Sequence, residues 1–132
     1  GAGVQGVILG GSGTVGLTPA AIKTSAGTAE RIPVARDAKI PRRLGRLRDL
    51  GFRSFGLSSK GGKSWDQLDL SGRIVIVAGG EEEGLRTGVA RACDELVTIP
   101  LAAGIESLNV GVALSVLLFE ALRQRRHSKS RS

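Results

Sequence analysis

The 132-residue chain has no tyrosine and no methionine, and only one tryptophan, three phenylalanines, one cysteine and one histidine. A lone cysteine, Cys93, rules out an internal disulfide and any cysteine-cluster metal site. The single histidine, His127, lies in the tail, so zinc chemistry has no ligand set and no metal is expected. With aromatics at 3%, the core has to be built from Val, Leu, Ile and Ala. Long apolar runs are missing too. Residues 108–122 form the longest, interrupted by Asn109 and Glu120, and they fall short of the ~20 residues a membrane helix needs. The amino terminus shows no basic stretch followed by an apolar one, so no secretory leader is read there. The expectation is a cytoplasmic protein with no membrane partner.

What the chain does have is glycine and positive charge. Twenty glycines suggest tight turns and close backbone approaches. The net charge is +7, and it is unevenly spread. From Arg31 to Lys63 ten Lys/Arg face two acids, Asp37 and Asp49, and Arg123 to Ser132 adds five basic residues and no acid. Such a field favours a polyanion, with nucleic acid the usual one. A solvated face with a soluble tail is the plainer reading of the same charges.

Strands and helices alternate along the sequence. VQGVILG (4–10), IPVAR (32–36), FRSFGL (52–57) and RIVIVA (73–78) read as strands, the last without polar alternation, as when both faces are covered. LTPAAIKTSAGTAERI reads as a helix with Thr18 as N-cap and Pro19 at its first position. In IPRRLGRLRDLGF, Ile40, Leu44 and Leu47 recur at helical spacing, the arginines fall mainly on other faces, and Gly51 offers a C-cap. SSKGGKSWDQLDLSG reads as a polar loop. A helix through Cys93, a short strand TIPL (98–101) and a long C-terminal helix complete the chain. The alternation predicts a mainly parallel α/β sheet with helices on both faces. A single domain over 1–126 is expected, followed by a basic, disordered tail at 127–132.

Three stretches are candidate sites. Gly11-Ser12-Gly13-Thr14-Val15-Gly16 follows a strand in G-x-G-x-x-G spacing, and Asp37 lies near the end of the next strand, as in a dinucleotide site. Against this, Thr18-Pro19 start the helix after the last glycine, so its amides would not point at a pyrophosphate. In VIVAGGEEEGLR, Gly79-Gly80 let the backbone approach a ligand where a strand ends, and the glutamates that follow suit a helix dipole. In GIESLNVGVAL, Ser107 serves as an N-cap without any further function. Asn109, at the start of a helix apolar nearly all round, either is satisfied at a junction of buried surfaces or is put to use there.

The spacing of the last two stretches has a further meaning. IVIVAGGEEEGLR followed by CDELVTIPLAAGIESLNVGVALSVLLFEALRQR resembles the two C-terminal motifs of the SpoU branch of the SPOUT RNA methyltransferases. Those motifs are an apolar strand, Gly, a small residue, Glu and Gly-x-Gly-Leu, then Ile-Pro-Met and Ser-Leu-Asn-Val-Ser-Val-Ala. The similarity extends upstream through SAGTAERIPVAR and LGFRSFGL, and is greatest to enzymes that methylate a guanosine ribose in large-subunit (23S-type) ribosomal RNA. The resemblance implies a deep trefoil knot, a rare exception to unknotted topology. It also implies S-adenosyl-L-methionine as cofactor, RNA as substrate (rRNA or tRNA), and a homodimer through the last helix. Carried over by motif, Gly79, Gly80, Ile99, Leu108 and Asn109 would hold the cofactor, and Glu81, Ser107 and Asn109 the catalytic site. Arg42, Arg43, Arg46, Lys60 and Lys63 would meet RNA phosphates.

The sequence departs from the family pattern in two places. Glu82 stands where the family usually has Gly. Family members also carry an earlier strand and helix with an Asn and an Arg, the latter thought to activate the hydroxyl. This chain starts where that helix would end, so the domain is expected to lack the first motif. Two other functions stay open: a non-catalytic RNA-binding knotted module, and a dinucleotide-binding protein.

Overall fold

The computed structural model describes residues 5–9, 34–36, 39–58, 61–79, 85–99 and 110–131. In chain order these form β1 (Gln5–Leu9), β2 (Val34–Arg36), α1 (Ile40–Asp49), β3 (Arg53–Leu57), β4 (Lys63–Ser64), a 3₁₀ turn (Trp65–Gln67), β5 (Ile74–Ala78), α2 (Thr87–Ala92), β6 (Glu95–Thr98) and α3 (Val110–Arg131). The six strands make one sheet in the order β2-β1-β5-β3-β6-β4. Every pairing is parallel.

β5 sits inside the sheet, between β1 and β3, and none of its five residues is more than 3% exposed. Its unbroken run IVIVA is what a strand covered on both faces requires. Successive side chains point to opposite faces, and two cores result. Ile74, Ile76 and Ala78 join Val7, Phe55 and Val97 against Leu114, Leu117, Leu118 and Ala121 of α3. Val75 and Val77 join Ile8 and Cys93 against Ile40 and Leu44 of α1, with Val89 and Ala92 of α2 alongside. Helices therefore cover both faces, as expected.

α1 forms because its apolar positions line one side and Pro41 is preset for the first turn. Arg46 and Arg48 in its last turn suit the helix dipole. It ends in a Schellman motif: the Gly51 amide donates to the Arg48 carbonyl and the Phe52 amide to that of Leu47, both at 2.9 Å. Gly51 adopts φ +89°, a conformation that glycine reaches without a Cβ penalty. Leu50 is the cap itself.

The structure departs from the sequence reading in four places. The stretch read as a polar loop contains β4 and the 3₁₀ turn, and it buries Leu68 and Leu70 (5% and 0% exposed). The helix expected to run through Cys93 ends at Ala92, leaving Cys93 as its cap. The strand expected at 98–101 lies at Glu95–Thr98, where Phe55, Gly56 and Leu57 of β3 pair with Glu95, Leu96 and Val97; proline, with no amide to donate, follows two residues later at position 100. The tail read as disordered from residue 127 continues α3 to Arg131. Arginine, glutamine and lysine propagate a helix well once packed turns have nucleated it. The helix expected around Thr18 and Pro19, the Gly11–Gly16 motif, Asp37 and the segment implied for the knot loop, Glu106 to Asn109, lie outside the described residues.

Candidate functional site

Because all strands run parallel, their carboxyl ends share one edge, where open α/β sheets bind ligands. Gly79 follows the buried Ala78 at the end of β5, and Ile99 follows Thr98 at the end of β6. β3 lies between them, ending at Leu57, and the Ser58 amide donates to the Val97 carbonyl at 2.9 Å. Leu57 and Ile99 are both partly buried against the α3-side core. The ends of β5, β3 and β6 thus bring Gly79, Leu57 and Ile99 to one edge of the sheet. Sequence reasoning missed the end of β3, whose place between β5 and β6 is set by strand order. Gly80, Glu81, Glu82, Ser107, Leu108, Asn109 and Lys60 lie outside the described residues.

The basic residues separate into two groups. Arg42, Arg43 and Arg46 are exposed together on α1, where they line an open groove of about 550 Å³ with Lys39, Leu47 and Leu50. Lys63 lies instead on the edge strand β4, and its ammonium pairs with Glu95 Oε1 at 3.0 Å. Ile40 and Leu44 seat α1 over the core on Ile8, Val75 and Val77, which places it away from that edge.

The side of α3 turned from the core holds a second groove, of about 840 Å³, lined by residues including Trp65, Val116, Phe119 and Leu122. Phe119 is 53% exposed. On the groove's floor Glu120 is only 5% exposed, and Arg123 Nε and Nη2 donate to its carboxylate at 2.5 and 3.1 Å. Hydrogen bonds from Arg123 hold the Glu120 carboxyl below its ordinary range, against the opposing effect of burial. Gln124 ties α3 to the segment after the 3₁₀ turn: its Nε2 donates to the Leu68 carbonyl (2.8 Å) and its Oε1 accepts from the Leu70 amide (2.7 Å). Trp65, Phe119, Glu120 and Gln124 had no part in the sequence reading of a site.

At the opposite, amino-terminal edge, Asp94 Oδ2 accepts from the Ser54 amide (2.8 Å) and hydroxyl (3.1 Å), and Oδ1 pairs with Arg48 at 3.0 Å. This network joins the starts of β3 and β6 and explains the buried Ser54 without a catalytic role. Burial raises the Cys93 thiol to about 11, with Asp94 adding to the effect, which leaves it an inert core residue. Among the described residues no cluster of His, Cys, Asp or Glu could hold a metal, and no helix is long and apolar enough to cross a membrane.

A profile of the SpoU rRNA methylase family matches residues 1–119. The chain belongs to that family. Among its relatives, an uncharacterized tRNA/rRNA methyltransferase of Mycobacterium tuberculosis is 43% identical over 127 residues, covering 96% of this chain and 39% of its own length. The chain thus spans about two fifths of the curated relatives it matches. Two solved structures share the fold. The SpoU methyltransferase AviRb of Streptomyces viridochromogenes, in complex with AdoMet, aligns at a TM-score of 0.67 with 20% identity, over 92% of this chain and 57% of that one. An RNA 2′-O ribose methyltransferase aligns at 0.68 with 23% identity, over 90% and 56%. Both likenesses establish the α/β architecture of the SpoU chain.

Proposed function

We propose that this SpoU chain is the catalytic part of an S-adenosylmethionine-dependent RNA methyltransferase that modifies a ribose 2′-hydroxyl, in a guanosine of large-subunit-type ribosomal RNA. The observation that carries the reading is the carboxyl edge of the sheet, where Gly79 and Ile99 bracket the end of β3 at the two positions the family motifs assign to cofactor. The described residues suit an adenosyl group. Leu57 and Ile99 offer apolar walls, and Gly79 offers backbone with no side chain in the way. AviRb, solved with AdoMet, supports the choice of cofactor, and the 2′-O ribose enzyme supports the choice of acceptor. Gly80, Leu108 and Asn109 complete the cofactor site in this reading, within the trefoil knot that the family resemblance implies.

S-adenosylmethionine, when bound, supplies an activated methyl group on its sulfonium. The protein's task is then orientation and proton removal, because a ribose hydroxyl is a weak nucleophile. Glu81, Ser107 and Asn109 are assigned to that centre, holding the hydroxyl in line and accepting or relaying its proton. Arg42, Arg43 and Arg46, with Lys60 and Lys63, meet RNA phosphates and position the substrate without reading its sequence. The apolar groove around Phe119 supports a homodimer through α3, since a helix exposing such a side must be covered. RNA as substrate makes the cytoplasm the expected compartment.

The test is calorimetric titration of the chain with S-adenosylmethionine, with NADH in parallel, followed by transfer of labelled methyl to ribosomal RNA transcripts. Saturable binding of S-adenosylmethionine and loss of transfer in Asn109→Ala support the reading. Binding of NADH alone overturns it in favour of the Gly11–Gly16 motif. RNA binding with neither cofactor nor transfer overturns it in favour of a non-catalytic module.

A further inference from the structure

Parallel topology fixes the direction of α1. The helix follows β2, whose carboxyl end lies at the candidate site's edge, and it hands the chain to Arg53 at the start of β3, on the opposite edge. Its 10 residues therefore descend about 15 Å along the outer face of the sheet, starting near the site. From Lys39 to Asp49 the chain carries five cations and one acid. Arg42 and Arg46 are exposed one turn apart, and among the described residues neither has an acidic partner. α2 packs beside α1 and adds exposed Arg86 and Arg91 with no acid between them. The nearby carboxylate of Asp94 is held by Arg48 and Ser54. α3 occupies the other face of the sheet, so a polyanion along α1 does not compete with a second copy docked on α3.

We propose that α1, with α2 beside it, is a phosphate track that holds the RNA flanking the target nucleotide, running from the reaction edge along the outer face and centred on Arg42 and Arg46. The proposal rests on the RNA-methyltransferase reading and deepens it: the track grips backbone, not base edges, and sets affinity separately from cofactor binding. Charge density and the length of the stripe favour a polyphosphate over an acidic protein, whose carboxylates lack the regular spacing of a phosphate backbone.

The test uses fluorescence anisotropy with a labelled ribosomal RNA hairpin, titrated between about 50 and 300 mM salt, a range over which phosphate contacts are read from the slope. Replacing two phosphate-contacting arginines in Arg42→Gln/Arg46→Gln should flatten the log–log salt dependence by about 1.4 in the loop to 1.8 in the stem, which is roughly 25- to 60-fold in affinity at 0.1 M salt if the electrostatic contribution vanishes near 1 M. Arg42→Lys/Arg46→Lys should recover most of the slope. S-adenosylmethionine titration of the same variants reports whether the fold and cofactor edge are intact. An unchanged slope and affinity in the glutamine variant, while the parent chain binds RNA, overturns the track and leaves the methyltransferase reading standing. Competition by polyglutamate as effective as by RNA of equal charge overturns nucleic acid as the occupant. A parent chain that binds no RNA at 50 mM salt overturns the RNA reading and the track together.

Discussion

Gln124→Ala probes the contact that joins α3 to the segment read as a loop. In the native chain the Gln124 side chain donates to Leu68 and accepts from Leu70, and its Nε2 also reaches Glu120 Oε2 at 3.1 Å. Two hydrogen bonds to buried backbone are worth roughly 1 kcal/mol each, and leaving the Leu70 amide unsatisfied raises the cost, so the loss should be about 2–4 kcal/mol. For a chain of this size that lowers the melting temperature by roughly 8–16 °C. In urea the midpoint should fall with little change in slope, at fixed protein concentration because dimerisation would shift it. Gln67→Ala, at an exposed position in the 3₁₀ turn, is the control and should stay within about 0.5 kcal/mol. Hydrogen exchange adds a local readout: the Leu70 amide should lose its protection first. A Gln124→Ala chain losing less than about 0.5 kcal/mol, the range of an ordinary surface change, with Leu70 still protected, would refute the reasoning.

Other perturbations follow from the same geometry. Gly56→Ala would put a Cβ 2.6 Å from Leu85 Cδ1, 2.9 Å from Cys93 Sγ and 3.1 Å from Leu96 Cδ2; urea unfolding should show a loss of about 1–3 kcal/mol, and none would mean that the α1-side core has slack. Cys93 keeps its proton to about pH 11 in the fold but loses it near 9.0 when unfolded. Unfolding therefore releases a proton between those values, and stability that is intact below pH 9 should fall as pH rises, by about 2–3 kcal/mol at pH 11; unfolding of Cys93→Ala across that window should lack this component. Phe119→Asp puts a charge in the apolar groove of α3 and should shift sedimentation from dimer to monomer. A parent chain already monomeric at tens of micromolar would remove the basis for a homodimer.

The sequence made parts of this fold legible for identifiable reasons. β1 and β5 are apolar segments, α1 repeats Ile40, Leu44 and Leu47 at helical spacing, and Gly51 marks its end without help from the rest of the chain. β6 was displaced because Glu95 opens it with a charge and sits one residue past Asp94, so the segment reads as the end of a helix. Leu68 and Leu70 were hidden in a polar stretch: they pack into the α3-side core, and their backbone is held by a glutamine 56 and 54 residues away. No local pattern encodes such a bond. The basic patch shows the same division: counting charges from Arg31 to Lys63 gathers them into one feature, whereas strand order sends Lys63 to an edge and its pairing with Glu95. At the candidate site the motif spacing pointed to Gly79 and Ile99, and only topology brings Leu57 between them.

The two ends of the sheet carry one more consequence. Among the described residues it terminates in β2, three residues long, and β4, two residues long. A strand border this short exposes few unpaired amides and carbonyls, and on β4 the ion pair of Lys63 with Glu95 stands at the rim. A sheet whose interior is as apolar as β5 would otherwise be a template for cross-strand aggregation. At the β4 border a two-residue ladder beside an ion pair leaves a passing chain too little to nucleate on, so resistance to cross-strand association there is set at the margin of the sheet and not in its interior.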